Sequence, residues 1–350
     1  MITMFEDMAK SISGWLAGEG RDSMVVLSTR VRLARNVRDQ IYPTAADTST
    51  REKVVGFFES AFSRSEMLGK GKLYRSDELS PLDRDFLVER HLMSPNFMQD
   101  VSARSLFISP HEQVSVMVNE EDHLRIQALA SGLEPEKAYK LAMKYDNEIG
   151  RFIEYDYDPD FGFLTACPTN VGTGMRASVL IHLPGLVITK DIDGVINKIS
   201  KQGVAVRGFY GEGTDVLGNL FQISNQTTLG VSEKQILELI EQLTRFIIES
   251  ENTARERLSS EASAQIEDKI WRAYGILKNA RMLTSDEVMN LLSAVRLGIA
   301  MKIIDTVTIR QINEILLLSQ PAHLQKFNNE ELDGDQRDFL RAKMVREKLN

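Results

Sequence analysis

Residues 24–36 open as an apolar run, Met24-Val25-Val26-Leu27, and then alternate strictly through Arg30, Val31, Arg32 and Leu33. Strict alternation predicts a strand whose successive side chains face opposite ways. Similar runs predict strands at 106–108, 114–118, 161–166, 177–183 and 220–224, and one from Val204 into a Gly-rich loop. Helical spacing of apolar residues predicts helices over 50–70, 80–94, 134–149 and 190–201, and a short amphipathic helix around Trp15 and Leu16. Ser80 before Pro81 reads as an N-cap with proline at the first helical position. Ser232-Glu233-Lys234-Gln235 is a capping box, and residues 256–350 read as entirely helical. The pattern predicts an α+β chain. An antiparallel sheet flanked by helices fills a domain at 1–255, and a long helix leads into an all-helical domain at 256–350.

Composition narrows the function classes. The chain has 350 residues, 43% hydrophobic and 26% charged, with a net charge of −8. That charge argues against a nucleic-acid binder relying on general basicity. No window of 18 apolar residues is present, so no membrane-spanning helix is expected, and the first residues lack the basic n-region of a signal peptide. The single cysteine, Cys167, rules out an intrachain disulfide and a Cys-rich zinc site, and suits a reducing cytoplasm.

Four stretches carry candidate chemistry. Arg30 and Arg32 share a strand face and repel each other unless an anion lies over them. Glu120-Glu121-Asp122 brings three acids to a strand end, and alternation sends Glu120 and Glu121 to different sides. Cys167 stands in a loop with Gly172, Gly174 and Arg176, where freed backbone N–H groups and a guanidinium could hold an anion near a reactive thiol. Arg207 and Glu212 belong to a Gly-rich segment that reads as a lid. The first three have ordinary alternatives: a solvated strand face, an acidic turn, a structural cysteine. His91, near a helix end, reads by itself as a partly exposed histidine.

Taken in order, Ser28-Thr29-Arg30-Val31-Arg32, Asn119 to Arg125, Cys167 to Gly174 and Arg207 to Glu212 resemble the phosphagen (guanidino) kinase family. The resemblance implies transfer of the γ-phosphoryl of ATP to a guanidinium nitrogen, with Mg²⁺ carried by ATP and no protein metal site. It implies a phosphate clamp of Arg30, Arg32, Arg125, Arg176 and Arg207. Ser28, Thr29 and Val31 join them in the nucleotide-binding strand, and His91 becomes a nucleotide contact. Glu121 matches the catalytic carboxylate, Glu212 a second one, and Cys167 the reactive thiol beside the guanidinium. Phosphoryl transfer is mostly positioning and charge neutralisation, so five arginines are a sensible inventory.

Members acting on small guanidino compounds carry a helical domain before the Ser-x-Arg-x-Arg strand, whereas here Ser28 lies near the start and the extra helices follow. The chain also ends in Arg337-Asp338-Phe339-Leu340-Arg341-Ala342. This arrangement resembles the bacterial members that phosphorylate arginine side chains of proteins. It implies protein substrates with exposed arginine and an allosteric phosphoarginine pocket of Arg337, Asp338 and Arg341. It further implies Clp-type chaperone–protease partners with their regulators, and a homo-oligomer. A kinase for a small guanidino metabolite and a phosphoarginine-binding adaptor are the alternatives.

Overall fold

The computed structural model describes residues 5–208 and 216–350. Ten strands are present among them: β1 (Val26–Arg35), β2 (Lys72–Arg75), β3 (Ser105–Ile108), β4 (Val114–Val118), β5 (Leu124–Ser131), β6 (Tyr157–Asp158), β7 (Gly162–Phe163), β8 (Met175–His182), β9 (Val204–Gly208) and β10 (Leu220–Asn225). Eight form one sheet in the order β2-β3-β4-β5-β1-β8-β10-β9, and every described pairing is antiparallel. The fold is α+β, as the pattern predicts.

The helices before residue 230 are α1 (Glu6–Ala9), α2 (Thr48–Arg64), α3 (Pro81–Glu89), α4 (Pro95–Gln99), α5 (Pro135–Gly150), α6 (Pro184–Ile188) and α7 (Ile192–Ser200). Then come α8 (Glu233–Glu261), α9 (Ser263–Asn279), α10 (Ser285–Ala300), α11 (Ile309–Leu318), α12 (Pro321–Asn328) and α13 (Gly334–Leu349). Local chemistry starts several of them. Ser80 and Asp83 exchange the two bonds of a capping box at α3, and Ser232 with Gln235 and Thr308 with Gln311 do the same at α8 and α11.

The central strand β1 lies between β5 and β8. One sheet face carries Val31, Leu33, Ile126, Ala128, Ala177, Val179 and Ile223 into a core with residues of α2, α5 and α8. The opposite face is divided. Leu129, Leu180 and Leu220 pack with Trp15, Leu16 and residues of α9 to α11 and α13. Each such burial stabilises by roughly 1.5–3 kcal/mol. The other part of that face keeps its arginines, so the C-terminal helices cover the leucine half and leave the charged half open.

Three expected elements need correction. The strand expected at 161–166 shrinks to Gly162–Phe163, because side chains claim the backbone beyond it: Leu164 O accepts from Asn36 Nδ2, and Ala166 N donates to Asp122. Around Trp15 there is a single 3₁₀ turn, Gly14–Leu16, and tertiary burial of the indole takes the place of an amphipathic helix. The helix expected over 80–94 stops at Glu89, and His91 follows in the left-handed region at φ 60°. The boundary expected at 255/256 falls inside α8, whose Ile240 and Ile247 belong to the sheet core and whose Leu258 belongs to the helical cluster.

Candidate active site

Register builds the charged surface. Arg30 and Arg32 alternate with Val31 on β1, and Arg176 on β8 stands directly opposite Arg32. Arg125 on β5 pairs with Ala34, on the same face two residues further along. Arg30 donates to Gln222 at 2.9 Å, and Arg176 donates to Ser224 at 3.0 Å. Arg32 is half-buried, and its Nε is sealed from solvent without a hydrogen-bond partner. An arginine N–H left unmade in that way is costly. Burial, then the neighbouring Arg125 and Arg176, bring Arg30 down to about 10. Burial and Arg30 push Arg32 well below the usual guanidinium range. Arg176 is lowered by burial and by Arg207, which is exposed on the edge strand β9 opposite Gln222. Such a surface is short of negative charge and fits a polyanion.

Among the acids, sequence order hides three different fates. Glu120 is buried, accepting from Arg125 and Ser94. Asp122 is buried too, its Oδ1 accepting from Asn36 Nδ2 and from the Ala166 N–H, both at 2.7 Å. Glu121 alone is exposed, and it lines a cavity of about 200 Å³ with Arg32, Arg125, Arg176 and Cys167. Burial and the adjacent Asp122 raise its carboxyl above the ordinary range. Asp122 therefore links Glu121 to the cysteine segment one residue before Cys167.

The cysteine loop needs its glycines. Gly172 has φ +109°, and a Cβ there would lie 2.3 Å from Thr228 O; Gly174 has φ +62°, with a Cβ 2.6 Å from Ala34 O. Cys167 is half-buried, its Sγ 3.0 Å from Thr169 Oγ1. A second, smaller cavity of about 20 Å³ adjoins Arg30 and is lined by Ser28, His91 and Trp15. Burial and Arg30 depress the His91 imidazole to about 3, so it is neutral. Thr29 and Val31, expected with the nucleotide contacts, point the other way. Thr29 is fully buried, donating to Gly132 O at 2.7 Å, and Val31 is core. Strict alternation makes that inevitable once the arginines face the site. Glu212 lies outside the described residues.

Residues 53–254 match the ATP:guanido phosphotransferase C-terminal catalytic domain, and residues 263–350 match the protein-arginine kinase McsB C-terminal domain. The chain belongs to the ATP:guanido phosphotransferase family. A protein-arginine kinase from Symbiobacterium thermophilum is 44% identical to this phosphotransferase over 348 residues, 99% of each chain. Another from Bacillus cereus is 45% identical over 344 residues, 98% of this chain and 97% of the relative. Among solved structures, lombricine kinase aligns with a TM-score of 0.59 and 25% identity, covering 75% of this chain and 73% of its own. The duplicated taurocyamine kinase from Schistosoma mansoni shares the fold, with a TM-score of 0.61 over 71% of this chain and 37% of that one.

In this family member the C-terminal triplet is largely engaged within the protein. Arg341 is 1% exposed; it donates to Ser319 O at 2.8 Å and to Leu283 O at 2.7 Å, and it is paired with Asp338. It acts as an internal strap joining α13 to the ends of its neighbours. Arg337 is half-buried and donates to Leu332 O. Trp15 and Gln127 escape a sequence reading of the site, because each acts through a partner distant in the chain: Trp15 donates to Arg90 O and Gln127 to His91 O. Among the described residues no cluster of three or more His, Cys, Asp or Glu could hold a metal, and no helix is long and apolar enough to cross a membrane.

Proposed function

We propose that this chain is a protein-arginine kinase that transfers the γ-phosphoryl of MgATP to an arginine side chain of a protein substrate. The observation that carries the reading is the cation-rich surface with the unpartnered Arg32 Nε, opening beside the cavity of Glu121 and Cys167. Arg30, Arg32, Arg125, Arg176 and Arg207 neutralise the phosphates, and neutral His91 with Ser28 borders the nucleotide. A guanidinium has no lone pair directed at phosphorus. Glu121, its affinity for protons raised by its surroundings, orients the incoming nitrogen and takes its proton as the N–P bond forms and the bond to the ADP leaving oxygen breaks. Cys167 lines the same cavity, where a sulfur steers charge within the guanidinium plane. Glu212 is assigned the second carboxylate on the family resemblance.

The relatives' names and the match at 263–350 favour a protein over a small guanidino metabolite. Phosphoarginine recognition by Arg337, Asp338 and Arg341 remains part of the proposal, the ligand exchanging with the Asp338–Arg341 pair. A cytoplasmic location, self-association and Clp-type partners follow from the resemblance. Incubation with ATP and either free arginine or an arginine-rich unfolded protein tests the substrate, read by phosphosite mass spectrometry under non-acidic conditions. Phosphoarginine should form on the protein. Turnover of free arginine alone would assign the chain to metabolite chemistry, and turnover of neither would leave a binding protein.

A further inference from the structure

We infer that His323, on α12 of the C-terminal helices, is a positioning residue for the nucleotide: it holds the Arg90–His91 corner against the pocket wall. The inference rests on the reading that Arg30 and His91 border the bound nucleotide. His323 is fully buried. Its Nδ1 lies 2.7 Å from Glu89 Oε2 and its Nε2 lies 3.3 Å from Arg90 Nη1. Arg90 can only donate, so Nε2 accepts, and Nδ1 carries the proton toward Glu89. The imidazole is thus a neutral two-ended bridge. Burial and Arg90 hold it well below the usual histidine range, in keeping with a neutral ring.

Both ends are anchored. Glu89 also accepts from the backbone N–H groups of Ala322 at 2.7 Å and His323 at 2.9 Å, so it grips the first turn of α12. Arg90 forks onto Glu112 at 2.7 and 2.8 Å and donates to the carbonyls of Met8 and Ser11. The Arg90 carbonyl accepts from Trp15 Nε1 at 3.3 Å. The next residue is His91, in the left-handed region, its ring centroid 4.8 Å from that of Trp15 and its carbonyl accepting from Gln127 at 2.5 Å. A non-glycine residue persists in that conformation only where its surroundings over-determine it. Here the surroundings include a side chain more than two hundred residues away, in the C-terminal region. The His323–Arg90 hydrogen bond therefore ties the C-terminal helices directly to the residue that precedes His91.

The test uses the full-length protein and two substitutions that differ in one acceptor. His323→Asn places an amide where Nδ1 meets Glu89 but has nothing to offer Arg90. His323→Gln reaches Arg90 with its carbonyl. Calorimetric titration with ADP should show about 5- to 20-fold weaker binding in the Asn variant, the lower part of the usual coupling range, and near-normal binding in the Gln variant. The KM for ATP should rise in parallel, with kcat little changed. Lys326→Met is the control. It cuts the other buried tie between α12 and α3, to Asp83, and should lower stability without altering ADP affinity. Equal affinities for the Asn variant and the unaltered protein overturn the inference. So does a Lys326→Met variant that weakens ADP as much as the Asn variant does. ADP binding that depends on His323 in a protein that fails to phosphorylate arginine would sink the proposed substrate and leave the inference standing. No ADP binding at all would end both.

Discussion

Arg32 and Arg35 lie three residues apart on one strand and should respond oppositely to the same change, to methionine. Arg35 is 1% exposed and saturated: it donates to Asp146 through Nε at 3.1 Å and Nη2 at 3.0 Å, and to the carbonyls of Ala34 and Thr173. Removing it strands a buried carboxylate, which costs about 3–5 kcal/mol. Arg32 is half-buried among like charges, with its Nε unpaired. Methionine there keeps the stem and removes an uncompensated charge, so the ligand-free protein should be unchanged or gain about 1 kcal/mol. The loss appears only with nucleotide. A hydrogen bond to a charged group contributes about 1.5–3 kcal/mol, so ADP should bind roughly 10- to 100-fold more weakly. At about 100 times the original Kd, ADP adds about 2.7 kcal/mol to native stability; after a 100-fold loss the same concentration adds about 0.4 kcal/mol. Urea unfolding with and without ADP measures both numbers. Equal destabilisation of the ligand-free protein by the two substitutions would refute the argument, as would full ADP protection of the Arg32→Met variant.

Two further predictions concern the acids and the thiol. Glu121→Gln should lower the rate by about 10²-fold or more with ADP binding retained. Because burial and Asp122 raise Glu121, the rate should fall as pH drops through a limb above the ordinary carboxylate range, and Asp122→Asn, which keeps an oxygen for Asn36 and Ala166, should move that limb to lower pH. A limb unmoved in a pH–rate profile would deny the coupling. Cys167→Ser should slow transfer while leaving urea stability intact, and nucleotide with substrate should shield Cys167 from iodoacetamide; unaltered kinetics would make the thiol a bystander.

Short-range physics was legible in the chain alone. Alternation placed Arg30 and Arg32 together, and hydroxyl caps at Ser80 and Ser232 began their helices, because both effects act within a few residues. The family motifs likewise named Glu121 and Cys167 before any geometry. What the chain alone could not show was how Glu120 and Asp122 are held, since they acquire their roles only when Arg125, Asn36 and Ala166 arrive to pair with them. That the carbonyls of Ser319 and Leu283 close around the Arg341 guanidinium is likewise invisible in the sequence. Trp15 reads as one apolar residue of a helix until the sheet, His91 and Arg90 form its surroundings. Pairing over such distances depends on chain closure and burial, which follow from the whole fold and leave no local periodicity in the sequence.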